Sequence, residues 1–373
     1  MFRGSAWRCP TGLVLPWYLV SPARQVAFDI LLKVGEGGYA SDLLLKHTAA
    51  LDSRDAGLAS EIVFGCLRYQ AQLDHLITCF VPRPLDPEIR IVLRMGIYQL
   101  RYLDRIPPHA AVGESVELAK RAHKQSAAGL VNAVLRKVDR QPVAWPDQAT
   151  ELSTPAWLIE KWMRQFGPES TEKIATTFLQ PVESYVASTG RIQDISAQSV
   201  VPHLDLHPGM TFLDLCAAPG NKTAQALEYG VRAIACDIHW HRLKDLRALD
   251  CSRVVLDGTQ PLPFNTKFDR ILVDAPCSGT GTLGRNPEIK WRLKSSDLMD
   301  LHRKQVALLR NALQYLQPGG RLVYATCSLE EEENRMVTRA VSGSWQITER
   351  VPGVDPGDGF FVAVLTSDVV RNC

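Results

Sequence analysis

Hydrophobic and polar positions divide this chain into two stretches with different periods. From about residue 21 to 140, apolar residues recur at the three- and four-residue spacing of helices that bury one face. The first stripe runs through Val26, Ile30, Leu31 and Val34. It opens at Ser21-Pro22-Ala23, a capping residue followed by proline at the first helical position. Further stripes pass through Leu58, Ile62 and Leu67, and through Ile91, Leu93, Ile97 and Leu100. Another takes in Val116, Leu118 and Ala119, and a last one Leu130, Val134, Leu135 and Val138. Glycine and proline clusters at 35–38, 82–87 and 107–108 separate them. No alternating pattern of useful length intervenes, so residues 21–140 are expected to form an all-α domain. Residues 141–146 read as a linker, followed by helical stretches at 156–166 and 172–179. The whole of 141–189 is therefore taken as a connector.

From about residue 210 the pattern becomes one of short apolar runs separated by helix-length polar segments. The runs cover 211–216, 232–237, 254–256, 270–275 and 321–327. Strands alternating with helices imply parallel βαβ units, hence an α/β Rossmann-like, doubly wound domain over 190–373. Ligands of such sheets bind at the carboxyl ends of the strands.

Composition changes this picture little. The 373 residues suffice for two domains, and 46% hydrophobic with 22% charged residues is ordinary for a soluble globular protein. A net charge of +2 does not mark a nucleic-acid binder. Residues 1–150 hold 18 Lys/Arg against 14 Asp/Glu, so the front half is mildly basic and permits contact with a polyanion. Nine cysteines include no Cys-x-x-Cys pair and no zinc-ligand spacing, so no metal is expected. Free thiols in an aliphatic-rich chain point to a reducing, cytoplasmic compartment. Residues 1–20 contain a short apolar run broken by Pro16 with no small-residue cleavage site after it. They read as a disordered extension rather than a signal peptide. No segment approaches the length of a membrane span.

Chemistry-bearing residues gather at the ends of the expected strands. The first strand leads into Cys216-Ala217-Ala218-Pro219-Gly220-Asn221-Lys222, which is neither a dinucleotide fingerprint nor a phosphate-binding loop. Its small residues allow a ligand to approach the backbone closely. Asp237 ends the second strand, where a carboxylate can accept both ribose hydroxyls of a nucleoside. Asp257 follows the third and could accept from an adenine amino group. An acidic residue at a strand end is as often a helix cap, but Asp214, Asp237 and Asp257 stand in successive units. Adenosine without phosphate recognition suggests S-adenosylmethionine rather than NAD or ATP.

The fourth and fifth strands lead to Asp274-Ala275-Pro276-Cys277-Ser278-Gly279 and to Thr326-Cys327-Ser328. A single free cysteine is usually a small buried hydrophobe. Two at the ends of adjacent strands would face one cleft. A thiol is what C5 methylation of cytosine requires, because addition at C6 turns C5 into a nucleophilic enamine carbon. Asp274, kept protonated, could donate to N3 of that base.

These segments resemble the RNA 5-methylcytosine methyltransferases of the NOL1/NOP2/Sun family. The likeness runs through Asp-Leu-Cys-Ala-Ala-Pro-Gly-Asn-Lys-Thr, Asp-Ala-Pro-Cys-Ser-Gly, Asn286-Pro287-Glu288-Ile289-Lys290-Trp291, Tyr-Ala-Thr-Cys-Ser and Gly357-Asp358-Gly359-Phe360-Phe361. In the helical half, Val63-Phe64-Gly65-Cys66-Leu67-Arg68, Arg94-Met95-Gly96-Ile97-Tyr98-Gln99-Leu100 and Val131-Asn132-Ala133-Val134-Leu135-Arg136 resemble a NusB-like RNA-binding domain. The resemblance implies a monomeric enzyme acting on RNA, not DNA, with small-subunit (16S) ribosomal RNA as substrate. It implies Cys327 as nucleophile, Cys277 as the group assisting release of the methylated base, and Lys222 near the chemistry. Cys216 to Lys222, Asp237, Asp257 and Asp274 would line the S-adenosylmethionine site.

Two departures stand out. The family usually has glycine where Asn221 stands, a replacement asparagine suits through its tolerance of left-handed backbone. Between about 180 and 190, a small subdomain resembling an RNA-recognition motif is largely missing. A non-catalytic ribosome-assembly factor, or an antitermination-type module recruited through the helical half, are the readings from other classes. The cluster Lys120-Arg121-Ala122-His123-Lys124 and the pair Arg136-Lys137 could serve RNA in any of them.

Overall fold

The computed structural model describes residues 20–183, 185–188 and 190–366. The expected extension 1–20 lies outside the described residues except for Val20, which is buried in the helical core. Two compact units meet between Thr154 and Pro155.

The first unit is helical: α1 (Pro22–Gly35), α2 (Ala40–Thr48), α3 (Ser53–Arg68), α4 (Gln70–Phe80), α5 (Pro87–Tyr102), α6 (Pro108–Arg121), α7 (Ala128–Leu135) and α8 (Gln148–Glu151). The stripes read from the sequence converge on one core containing Ile30, Ile62, Leu93, Met95 and Ile97, all fully buried. Ser21 does not cap α1 with its side chain. Its amide and hydroxyl both donate to Glu114 Oε2 on α6 at 2.8 Å. Glu114 Oε1 in turn accepts from the buried Arg24 at 2.9 Å, and Arg24 also donates to Gln99 at 2.6 Å. This satisfied ion pair holds α1, α5 and α6 together.

The segment expected as a connector is divided between the units. Residues 147–153 fold onto α4, where Ser153 Oγ accepts from the Ala71 amide at 3.0 Å and the Glu151 carbonyl accepts from Gln72. Residues 156–177 form α9 (Ala156–Phe166) and α10 (Pro168–Thr177), which belong to the second unit. Trp162 of α9 is fully buried there. Among the described residues between them and the sheet, a single bridge pairs Val186 with Ile192, ahead of α11 (Ile195–Gln198).

The sheet contains β1 (Thr211–Asp214), β2 (Arg232–Asp237), β3 (Ser252–Val255), β4 (Phe268–Asp274), β5 (Leu316–Thr326), β6 (Trp345–Arg350) and β7 (Phe360–Thr366). Helices α12 (Asn221–Leu227), α13 (Trp240–Leu243), α14 (Ile289–Arg292), α15 (Ser295–Gln314) and α16 (Arg335–Arg339) connect them. Strand order is β3-β2-β1-β4-β5-β7-β6. The first five strands are parallel, β7 runs antiparallel to β5, and β6 antiparallel to β7. The sequence reading found the five parallel strands and missed the last two. The chain leaves β1 in one direction for β2 and β3, and returns on its other side as β4. That reversal opens a crevice at the carboxyl ends of β1 and β4.

Candidate active site

The crevice is a cavity of about 530 Å³, within the range of sites for small molecules and cofactors. Every strand of the parallel set contributes to its wall. Cys216 and Ala218 come from the loop after β1, Asp237 from the end of β2, and Asp257 from the turn after β3. Asp274 and Cys277 follow β4, and Cys327 follows β5. Ala217, Pro219, Gly220, Asn221 and Lys222 do not line it directly. They shape the loop that does.

That loop depends on Gly220. Its φ of 100° is left-handed, and a Cβ there would stand 2.6 Å from Leu246 Cγ. The left-handed residue is therefore Gly220 and not Asn221, which opens α12 with ordinary helical backbone. Asn221 instead uses its side chain to accept from Arg191 at 3.0 Å, tying the loop to the shortened segment before α11. Asp214, at the end of β1, is fully buried and accepts from Thr223 of α12 at 2.7 Å. Burial pushes its carboxyl up to about 7 against the opposing hydrogen bond.

Asp237 and Asp257 each spend one oxygen on a local turn. Asp237 Oδ1 accepts from the His239 amide at 2.8 Å, and Asp257 Oδ1 from the amide and hydroxyl of Thr259 at 2.9 and 2.7 Å. Both also line the cavity, so forming the turn does not take either residue off its wall. Sequence reasoning did not single out Ile238, His239 or Arg242 beside Asp237, nor Leu301, Lys304 and Leu308 of α15 on the opposite wall. The positions after Asp237 were within reach of a motif argument. Those on α15 are spaced as an ordinary amphipathic helix and carry no such signal.

At the end of β4, Asp274 is the partner of an ammonium. Lys222 Nζ donates to Asp274 Oδ2 at 2.6 Å. Lys222 also lies over the Phe360 ring at 5.2 Å. Burial alone would lower the Lys222 pKa. The charge and hydrogen bond of Asp274, with a smaller contribution from Cys327, overcome it and raise the pKa. The proton donor in this geometry is therefore the pair of Lys222 and Asp274 together, where the sequence reading names Asp274 alone.

Beside this pair the two thiols meet: Cys277 Sγ and Cys327 Sγ are 3.4 Å apart. Parallel register places Asp274 opposite Ala325, so the residues just beyond each strand share one corner. The Ala275 amide donates to Ala325 O at 2.9 Å, and the Gly281 amide to Cys327 O at 2.9 Å. Gly281 also packs against the Gly359 backbone so closely that no Cβ could be inserted. The hydrogen bond with Cys327, followed by burial, pushes the Cys277 thiol well above the usual range. Cys216 and Cys236 are likewise raised by burial, as befits cysteines used as packing groups. No group of acidic, histidine or cysteine side chains among the described residues is placed to hold a metal, and no described helix is long and apolar enough to cross a membrane.

The family described as 16S rRNA methyltransferase RsmB/F matches residues 201–344, and the NusB family matches 21–140. Ribosomal RNA small subunit methyltransferase B of Klebsiella pneumoniae subsp. pneumoniae is 32% identical over 420 aligned positions. These take in 92% of this chain and 97% of that protein. An alignment longer than the 373-residue chain means the relative carries segments with no counterpart here. The probable methyltransferase B of Bacillus subtilis is 32% identical over 390 positions, covering 85% of this chain and 87% of that one. Among solved structures, PH0851 superposes with a TM-score of 0.76 at 21% identity, covering 93% of this chain and 99% of its own. At that identity the likeness concerns the fold alone.

Proposed function

This chain belongs to the ribosomal RNA small subunit methyltransferase B family, and from that premise we propose that it methylates cytosine C5 in small-subunit ribosomal RNA through a covalent bond from Cys327 to the base. The observation that carries this reading is the pair of thiols 3.4 Å apart on the wall of the cofactor cavity. RNA methyltransferases that modify an exocyclic nitrogen or a ribose hydroxyl need no thiol.

S-adenosylmethionine, the cofactor of the family, supplies an electrophilic methyl group when bound. The cavity suits it: small residues around Ala218 admit close approach, and three carboxylates, Asp237, Asp257 and Asp274, line the wall without a phosphate-binding loop. Asp237 retains one oxygen for ribose hydroxyls, and Asp257 one for the adenine amino group. Cys327 attacks C6 as its thiolate, and the electrons displaced from the C5–C6 double bond make C5 nucleophilic. The ring needs a proton at N3 as charge arrives. Lys222 holds one at Asp274, so the pair can deliver it where neither residue alone would both orient and donate. After methylation, C5 must lose its proton as the Cys327–C6 bond breaks. Cys277, 3.4 Å from Cys327, is the adjacent group that can take that proton in its thiolate form while Cys327 leaves C6 as a thiolate.

The test is to incubate purified variants with methyl-labelled cofactor and deproteinised small-subunit RNA. Cys277→Ala is expected to accumulate an RNA–protein adduct that survives denaturing gels, and Cys327→Ala to form none and transfer no label. The reverse pattern would exchange the two roles. Absence of transfer by the unaltered chain to any RNA would favour a ribosome-assembly factor that keeps the fold.

A further inference from the structure

One buried carboxylate outside the cofactor cavity touches the loops of both thiols. Glu333 lies in the segment after Cys327 and is fully buried. Its Oε1 accepts from the Ser278 amide at 2.8 Å and from Gln305 Nε2 at 3.0 Å. Its Oε2 accepts from the Ser278 hydroxyl and, at 2.6 Å, from the Ser328 hydroxyl. Ser278 directly follows Cys277, and Ser328 directly follows Cys327. Gln305, on α15, also donates to the Pro276 carbonyl at 2.9 Å, on the other side of Cys277.

Glu333 is itself fixed by its backbone. Tyr324, buried in β5, donates through its hydroxyl to the Glu333 carbonyl at 2.6 Å. The neighbouring Asn334 donates to Ser328 O at 2.8 Å and accepts from Thr326 at 2.6 Å. The carboxylate therefore forms a rigid brace between two loops whose cysteines are 50 residues apart. Four donors from neutral groups satisfy its oxygens, which is how a buried carboxylate is tolerated without a cation.

We propose that Glu333 is a positioning residue that holds Cys277 and Cys327 at their mutual distance and aim, by binding the residue that follows each of them. It touches neither base nor cofactor in this reading, which rests on the thiol chemistry proposed above. Losing the carboxylate frees both loops at once. Losing either serine hydroxyl frees one.

The experiment combines turnover with a direct measure of the thiols. Glu333→Ala should lower kcat by about 100-fold, the effect of misplacing reacting groups by about an ångström, while the KM for S-adenosylmethionine stays within about twofold. Glu333→Gln should recover most of that loss, because the amide oxygen can accept from the Ser278 amide while serine hydroxyls turn to accept from its nitrogen. Iodoacetamide labelling, read by peptide mass spectrometry, should show the relative rates at Cys277 and Cys327 changed in Glu333→Ala, with exposed Cys79 as internal reference. Ser328→Ala, which leaves the carboxylate in place, should alter Cys327 labelling and lower kcat even if Glu333→Ala does not fold. Unchanged labelling of both cysteines in whichever of these variants folds would overturn the proposal. So would a glutamine variant as impaired as the alanine one. Labelling does not depend on methyl transfer, so an unaltered chain without activity would sink the proposed reaction and leave the positioning role decided on its own readout.

Discussion

At the scale of single residues, the site is built from groups whose properties come from one or two neighbours. Lys222 and Asp274 illustrate this, since each alone would be a partly desolvated charge and together they form a proton-bearing pair. Lys222→Met should therefore reduce methyl transfer by about 100-fold or more, the range for losing a proton donor, with cofactor affinity measured by calorimetry little changed. Loss of cofactor binding instead would place Lys222 in the cofactor site. Asp214 yields a stability prediction. Its folded-state pKa of about 7 lies above the ordinary 3.8 because burial favours the neutral form. Between those values the folded chain keeps a proton that the unfolded chain has released, so this residue's contribution to stability is lost as pH rises. In scanning calorimetry, Asp214→Asn should show a flatter fall in Tm between about pH 4 and 7 than the unaltered chain, whatever its absolute Tm. An unchanged slope would remove Asp214 as the cause.

At the scale of elements, the loop after β5 is braced from several directions, and α9 is one of them. Trp162 Nε1 donates to Glu330 Oε1 at 3.0 Å, and Gln165 donates to Leu329 O at 2.7 Å. Burial pushes the Glu330 carboxyl up to about 6, with the Trp162 hydrogen bond opposing it. Trp162→Phe keeps most of the packing and removes that donor, leaving a buried carboxylate oxygen without it. A loss of about 1–3 kcal/mol in urea unfolding is expected, as for other buried groups deprived of a partner. A change within about 0.5 kcal/mol would show that the hydrogen bond is dispensable.

Element by element, legibility from sequence followed burial pattern. The five parallel strands announced themselves as apolar runs between helix-length segments. The strand β6, Trp345–Arg350, is half exposed and polar in composition, and its partner β7 was noticed only for the Gly357-Asp358-Gly359-Phe360-Phe361 motif at its start. Glu330–Glu333 show the converse. Four consecutive glutamates look like a solvated face, yet Glu330 and Glu333 are fully buried. Donors brought from α9, α15 and the Cys277 loop make that possible, joined by one that is near in sequence, the Ser328 hydroxyl.

At the scale of the whole molecule, the two units have separate cores, and every residue of the candidate site belongs to the second. Residues 155–373 expressed alone should therefore fold and bind S-adenosylmethionine within about tenfold of the full chain's affinity. Methylation of ribosomal RNA should fall further than cofactor binding does if the helical unit, which matches the NusB family, helps to hold the RNA. Circular dichroism and cofactor titration would check the first expectation, and methyl transfer at matched cofactor saturation the second. An unfolded fragment would show that the units are not independent.

What the sequence by itself determined is the helical front half, the five parallel strands and which candidate reactive groups stand at their ends. Hydrophobic period follows from which face each segment buries, and Cys216, Asp237, Asp257, Asp274, Cys277 and Cys327 stand at strand ends because parallel sheets put ligand sites there. What only the tertiary structure decided is which of these groups meet. The 3.4 Å between the thiols, the Lys222–Asp274 pair and the reach of Glu333 to both cysteine loops all depend on the register of β4 against β5 and the packing of α12 and α15. Periodicity along a chain records burial but not distance between segments, so those contacts have no counterpart in the order of residues.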